Sequence, residues 1–278
     1  MLVEWIRKRF DKTGPDADLP AVLTSAGWQA YFHANAQILR EIPWAHGLGI
    51  TPAELAEIVD SLRAWQFGET SDGAHLLKAA GKYAEQIGDP DLVGAVEAFI
   101  AEEQRHGATL GQYLDRAGVP RKQADWGDTL FRACRYWLPN METWTTPVIM
   151  VETHALIFYN AMRLATDCPV LRQICTQILA DEIPHIRFQC ERLAHILHDR
   201  PRWLYTLTIL LHRIFFTGIT LAIWLGHRRA LKAGGYGFGC FWRTAWMKMH
   251  WAWRLMAPAG YQWQDETALT PAAATIEA

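Results

Sequence analysis

DEIPHIRFQ, residues 181–189, carries Glu182 and His185, and EEQRHG, residues 102–107, carries Glu103 and His106 at the same spacing. Residues three apart on a helix project from one face, so each Glu-x-x-His can turn a carboxylate oxygen and an imidazole nitrogen toward one metal ion. With 15 Glu and 11 His among 278 residues, chance supplies about 0.6 such pairs, so the motif needs context. Register provides it. Pro90 stands 13 residues before Glu103, and Pro169 stands 13 residues before Glu182, each where a proline starts a helix after a turn.

Upstream of Pro169, VETHALIFYNAMRLATD (151–167) reads as the preceding antiparallel helix, with Glu152 about as far before the turn as Glu182 lies after it. The same count back from Pro90 lands on Gly73, with Glu69 one turn further on the matching face. Asp72 is the rival, nearer in height but turned about 100° away. Glu152 is the only acid in VIMVETHALIFY, and Ile178, Leu179, Ile183 and Phe188 surround Glu182 and His185. Buried carboxylates are costly unless paired or bound to metal. EEQRH, by contrast, is uniformly polar, as a solvated helix face would be.

This set resembles the ferritin-like di-iron carboxylate proteins, in which two helices each give one Glu and two others each give a Glu-x-x-His. The resemblance covers roughly residues 60–198, and GETSDG (68–73) is similar to the Gly-Glu-Ser opening of rubrerythrins, which favours Glu69 over Asp72. It implies an all-α fold with a ferritin-like four-helix bundle over 51–198, to which helical spacing adds N-terminal accessory helices in 1–50, and the apolar and basic runs add a long apolar fifth helix with a basic amphipathic extension in 199–278. It implies Glu69, Glu103, His106, Glu152, Glu182 and His185 as ligands of two Fe ions, or of Mn or a mixed Mn/Fe pair, activating dioxygen or peroxide. Tyr159, a double turn beyond Glu152, is the candidate catalytic phenol, and Asp181 is placed to orient His106 or His185 from behind.

The leading functional expectation is an oxidoreductase, as an oxygenase, hydroxylase or desaturase of a hydrophobic small molecule. Its electrons come from an external donor, because the chain has no Cys pairs for a rubredoxin centre. The alternatives are a ferroxidase that handles iron without an organic substrate, and a non-enzymatic membrane-interaction module. His75 and His154 lack partners at ligand spacing and read as structural, as does Cys175. The net charge of −2 gives no nucleic-acid surface. Five cysteines without Cys-x-x-Cys spacing suggest neither disulfides nor zinc, and the N-terminus lacks the pattern of an export signal. The expected location is cytoplasmic, with membrane association on the cytoplasmic face as a variant.

The rest of the chain supplies local expectations. A helix over 20–44 runs through Leu23, Trp28, Phe32, Ile38 and Leu39 to Pro43. Thr51-Pro52-Ala53-Glu54 is a capping-box start for a helix running on through Glu69. Asp89 is the expected N-cap of the next helix, which stops at Gly118-Val119-Pro120, and 120–140 is a crossover with its own short helix. Pro184, inside the second motif, is expected to kink its helix. Residues 203–225 are apolar enough to span a bilayer, but Arg213 and a polar stripe of Thr206, Arg213, Thr217, Thr220 and His227 favour a buried helix or a homodimer contact. Peripheral membrane contact through 203–253 is the second reading, encouraged by tryptophans clustered at both ends of the chain.

Overall fold

The computed structural model describes residues 24–129 and 140–261. Among the described residues eight long α-helices follow one another: α1 (Ser25–Asn35), α2 (Pro52–Gly68), α3 (Ala74–Ile87), α4 (Asp91–Arg116), α5 (Met141–Leu164), α6 (Pro169–Leu197), α7 (Arg202–Ala233) and α8 (Phe238–Leu255). No strand occurs among the described residues. The starts are written locally. Thr51 and Glu54 close a capping box at α2, Asn140 and Thr143 close another at α5, and Pro169 opens α6 with the Cys168 sulfur accepting from the Leu171 N–H. α5 and α6 form the central antiparallel pair, α4 packs beside α6, and α2 with α3 completes a four-helix bundle.

The expected continuous helix through Glu69 is instead two helices. α2 ends at Gly68 with Glu69 as its C-cap, and α3 starts from Gly73, which takes a left-handed conformation at φ 67°. A side chain at Gly73 would strike Ile100 of α4, so the joint is pressed against that helix. Asp72 turns outward and caps the Ala74 N–H at 3.1 Å, which removes it from the bundle interior. Asp89 is likewise not the N-cap of α4. Pro90 holds that position, and Asp89 accepts a 2.6 Å bond from the Ser25 hydroxyl. Pro184 leaves α6 continuous from Pro169 to Leu197. The crossover helix falls largely outside the described residues, which show only its first turn from Trp126.

α1 ends at Asn35 rather than near Pro43, and Ile38 and Leu39 lie exposed. Its Trp28, Tyr31 and Phe32 are buried against Phe99 of α4 and Phe188 of α6, and Phe32 stacks edge-on to Phe188 at 5.5 Å. Each such aromatic contributes about 1.5–3 kcal/mol by burial. The expected burial of α7 is overturned. Only 17% of its most apolar 18-residue window is buried. The stripe it turns inward is Thr208, His212, Phe216 and Thr220, and of the residues expected on its polar stripe only Thr220 is fully covered. α7 thus packs on α5, α2 and α8 through a partly polar face and turns apolar side chains to the outside.

Candidate metal centre

Two groups of ligand-capable side chains meet inside the bundle: Glu103, Glu152, Glu182 and His185, and Glu69, Glu103 and His106. Within each group the ligand atoms lie within 4.8 Å of one another, and Glu103 belongs to both. The six residues that register singled out are therefore brought together, from the end of α2, from α4, from α5 and from α6. Glu182 also faces both imidazoles, 3.6 Å from His185 Nδ1 and 4.0 Å from His106 Nδ1. Glu69 can reach the group from a helix end because α4 carries Gly107 opposite. A Cβ there would lie 3.1 Å from the Glu69 backbone, and Gln66 bonds the Gly107 carbonyl at 3.3 Å.

Each imidazole is oriented from outside the cluster. His106 Nε2 lies 3.1 Å from Asp181, and His185 Nε2 lies 2.9 Å from Glu102. With Nε2–H donating to a carboxylate, Nδ1 of both rings turns inward, the arrangement by which proteins fix a metal-binding histidine. The pairing is crossed. The acid preceding Glu103 orients the histidine of α6, and the acid preceding Glu182 orients the histidine of α4. Asn35 at the end of α1 donates to both acids, 2.8 Å to Glu102 and 2.9 Å to Asp181, and Gln177 donates to Asp181 at 2.9 Å. Arg105 lies 3.1 Å from Glu102. Glu102, Asn35 and Gln177 were not among the residues the sequence pointed to. The repeated acid-Glu-x-x-His was the signal that could have found Glu102.

The inward atoms are short of partners. Glu103 Oε1, both oxygens of Glu182, and Nδ1 of His106 and His185 are buried without a hydrogen bond. Glu103 Oε1 nevertheless stands 2.7 Å from His185 Nδ1, without hydrogen-bond alignment. Two lone pairs that close call for positive charge between them, a proton or a metal ion. Burial and then the charge of Glu103 raise Glu69 well above the usual carboxylate range, and burial with Glu182 and Glu103 does the same to Glu152. Glu182 is pushed up to about 7, by burial first. Glu103 goes the other way: burial opposes ionisation, but the His185 imidazole holds it at about 2. Burial alone would lower His185, but Glu103 and Glu102 raise it well above its usual value.

Tyr159 donates its phenol to Glu69 at 2.5 Å and packs edge-on to Trp65 at 5.7 Å, so it touches the cluster through a carboxylate. Burial, then Glu69, pushes its pKa far up, so it stays a neutral donor. His154 lies elsewhere, bonded to the Met150 carbonyl at 2.7 Å and 3.1 Å from the Thr220 hydroxyl, and His75 stacks on Trp144. Cys175 is buried in the core. The chain is therefore an all-α bundle whose interior holds clustered Glu and His side chains able to chelate metal. Comparison with protein-family models, with curated proteins and with solved structures returns no match.

Proposed function

We propose that this chain is a di-metal carboxylate oxidoreductase of the ferritin-like kind, holding two iron ions, or manganese in one or both places. Glu69 and His106 would serve one ion and Glu152 and His185 the other, with Glu103 and Glu182 shared. The observation that carries this reading is the set of buried, unpartnered atoms on Glu103, Glu182, His106 and His185. Carboxylates with two imidazoles suit iron(II) or manganese. Once bound, such a pair supplies redox electrons and Lewis acidity toward dioxygen or peroxide. The chain's own groups set the conditions. Glu102 and Asp181 hold the imidazoles in the ligating tautomer, and the protons kept on Glu69, Glu152 and Glu182 leave when metal enters. Tyr159 keeps its proton on Glu69, where it can steady that carboxylate or deliver a proton to it.

The substrate class we favour is a hydrophobic small molecule, with electrons from an external donor, because the flank of the bundle is apolar and the chain has no second redox motif. The test is anaerobic reconstitution with iron(II), elemental analysis, and an absorption spectrum on admitting oxygen. The expected result is about two irons per chain and an oxygen-dependent carboxylate-bridged chromophore, both lost in Glu152→Ala and His185→Ala. Trace binding of iron and of manganese would remove the proposal. Unlimited turnover of iron(II) with no organic co-substrate would redirect it to iron oxidation.

A further inference from the structure

The outer face of α7 is apolar along most of its length. Trp203, Leu207, Leu210, Leu211, Ile214, Leu221 and Leu225 are all exposed, with Trp203 at 69% and Leu225 at 64%. At 3.6 residues per turn these positions share one stripe, and the same stripe continues as Arg228 and Lys232. α8 lies alongside and exposes Arg243, Met247, His250 and Arg254. A shallow groove between the two is lined by Leu221, Phe238, Trp242 and Arg243. Charge distribution sharpens the picture. Residues 200–264 hold nine Lys or Arg, seven Trp and no Asp or Glu, whereas the whole chain has a net charge of −2.

We propose that this face docks onto an anionic lipid bilayer, with α7 lying flat in the interface. An apolar stripe edged by cations and tryptophan matches the acyl–headgroup boundary of such a surface. Crossing the bilayer is disfavoured on two grounds. The inner side of α7 is occupied by α5, α2 and α8, and Arg213 sits at the middle of the apolar run 203–225, stacked on Trp253 at 5.4 Å. Midway through a span that guanidinium would be stranded in hydrocarbon, whereas on a flat helix it reaches headgroups from the flank. A second copy of the chain is also a poor occupant. A two-fold contact would set the exposed cations of this face, Arg228, Lys232, Arg243 and Arg254, against their own copies. The inference does not depend on whether the buried cluster holds metal.

The test uses the full chain and sedimentation with vesicles of phosphatidylcholine alone and of phosphatidylcholine with phosphatidylglycerol. Binding should favour the anionic vesicles by about tenfold or more and weaken as salt rises. Leu211→Glu with Ile214→Glu changes only exposed side chains, so its helical circular dichroism should be retained while partitioning falls at least about tenfold. Arg243→Glu should reduce only the preference for anionic vesicles. In the unaltered protein, acyl-brominated lipid should quench tryptophan fluorescence, and alkaline carbonate should strip the protein from the vesicles. The proposal fails if the protein stays in the supernatant with both vesicles, or if the double variant binds as well as its parent. It also fails if carbonate leaves the protein inserted, or if a concentration-dependent dimer is what the double variant abolishes.

Discussion

Glu182 and Glu191 sit nine residues apart on α6, both fully buried, and they solve the problem of a buried carboxylate in opposite ways. Glu191 is satisfied within the chain: Trp28 donates to one oxygen at 2.7 Å and Arg187 to the other at 2.6 Å. Glu182 has no such donors: its buried oxygens face Glu152, with which it is placed to share a proton, Glu103 and two imidazoles. A carboxylate with its own cation is part of the fold. One surrounded by other ligating groups is placed to chelate an ion. The same helix therefore carries a clamp for α1 and half of a cluster able to chelate metal, the proposed socket.

The largest way to break this comparison is to remove the clamp. Glu191→Ala takes away the carboxylate shared by Arg187 and Trp28, and breaking a buried pair costs about 3–5 kcal/mol. Urea unfolding of metal-free and metal-loaded protein should show the same loss in both. A loss confined to the metal-loaded form would mean that Glu191 belongs to the metal cluster.

A single substitution at the buried cluster is expected to have a smaller effect, with the reverse sign. Glu69, Glu152 and Glu182 have native pKa values above the unfolded 4.5, with Glu182 at about 7. Groups of this sign contribute stability that is complete below about pH 4.5 and is lost as pH rises through the native value. Metal-free protein should therefore lose stability between pH 5 and 8, by about 1.4 kcal/mol per pH unit for each proton that only the native state keeps. Glu103, held at about 2, acts oppositely, and its contribution disappears only in strong acid. Metal should flatten the decline by taking the place of the protons. Glu182→Gln should make metal-free protein about 1–3 kcal/mol more stable at pH 8 and weaken the stabilisation by added metal. Chelator-treated samples followed by thermal and urea unfolding at both pH values check this, and a flat metal-free profile would contradict it.

The socket was more legible than the clamp. Glu-x-x-His spacing, the prolines Pro90 and Pro169, and the isolation of Glu152 in an apolar run are all local signals, and helical geometry converts them into positions. Glu102 had no such signal beyond the doubled acid, because what buries it is α1, a helix far away in sequence whose Asn35 closes over it. The Arg187–Glu191 pair was local, at i,i+4 spacing, but that Trp28 of α1 closes over it was hidden for the same reason. The break at Glu69 was written in GETSDG, whose two glycines are turn formers, but the capping box at Thr51 made a continuous helix attractive. For α7 the amphipathic pattern was readable, but the side that faces the bundle was not. Thr220 and Thr208 pack inward where His154 and Arg200 offer them hydrogen bonds, partners that lie far off in sequence or beyond the helix start.

The finest test addresses the residue that joins the two regions. Asn35 lies on the helix that Glu191 anchors, and its amide donates to Glu102 and Asp181, the acids behind the two histidines. If α1 only covers the cluster, Asn35→Ala should leave metal affinity where it was. If it holds the acids in place, affinity should fall about tenfold, the lower end of what outer partners of metal ligands contribute. Asn35→Asp separates the cases further. A third carboxylate between Glu102 and Asp181 repels both and draws protons onto the group, which loosens the acceptors that fix each Nε2–H. Competition of iron(II) or manganese(II) against a chelator should then rank the parent first, the alanine variant second and the aspartate variant last. Equal affinities would make α1 a lid whose amide is spectator to the site. The predicted ranking would make it part of the machinery that aims the histidines, despite lying outside the four-helix bundle.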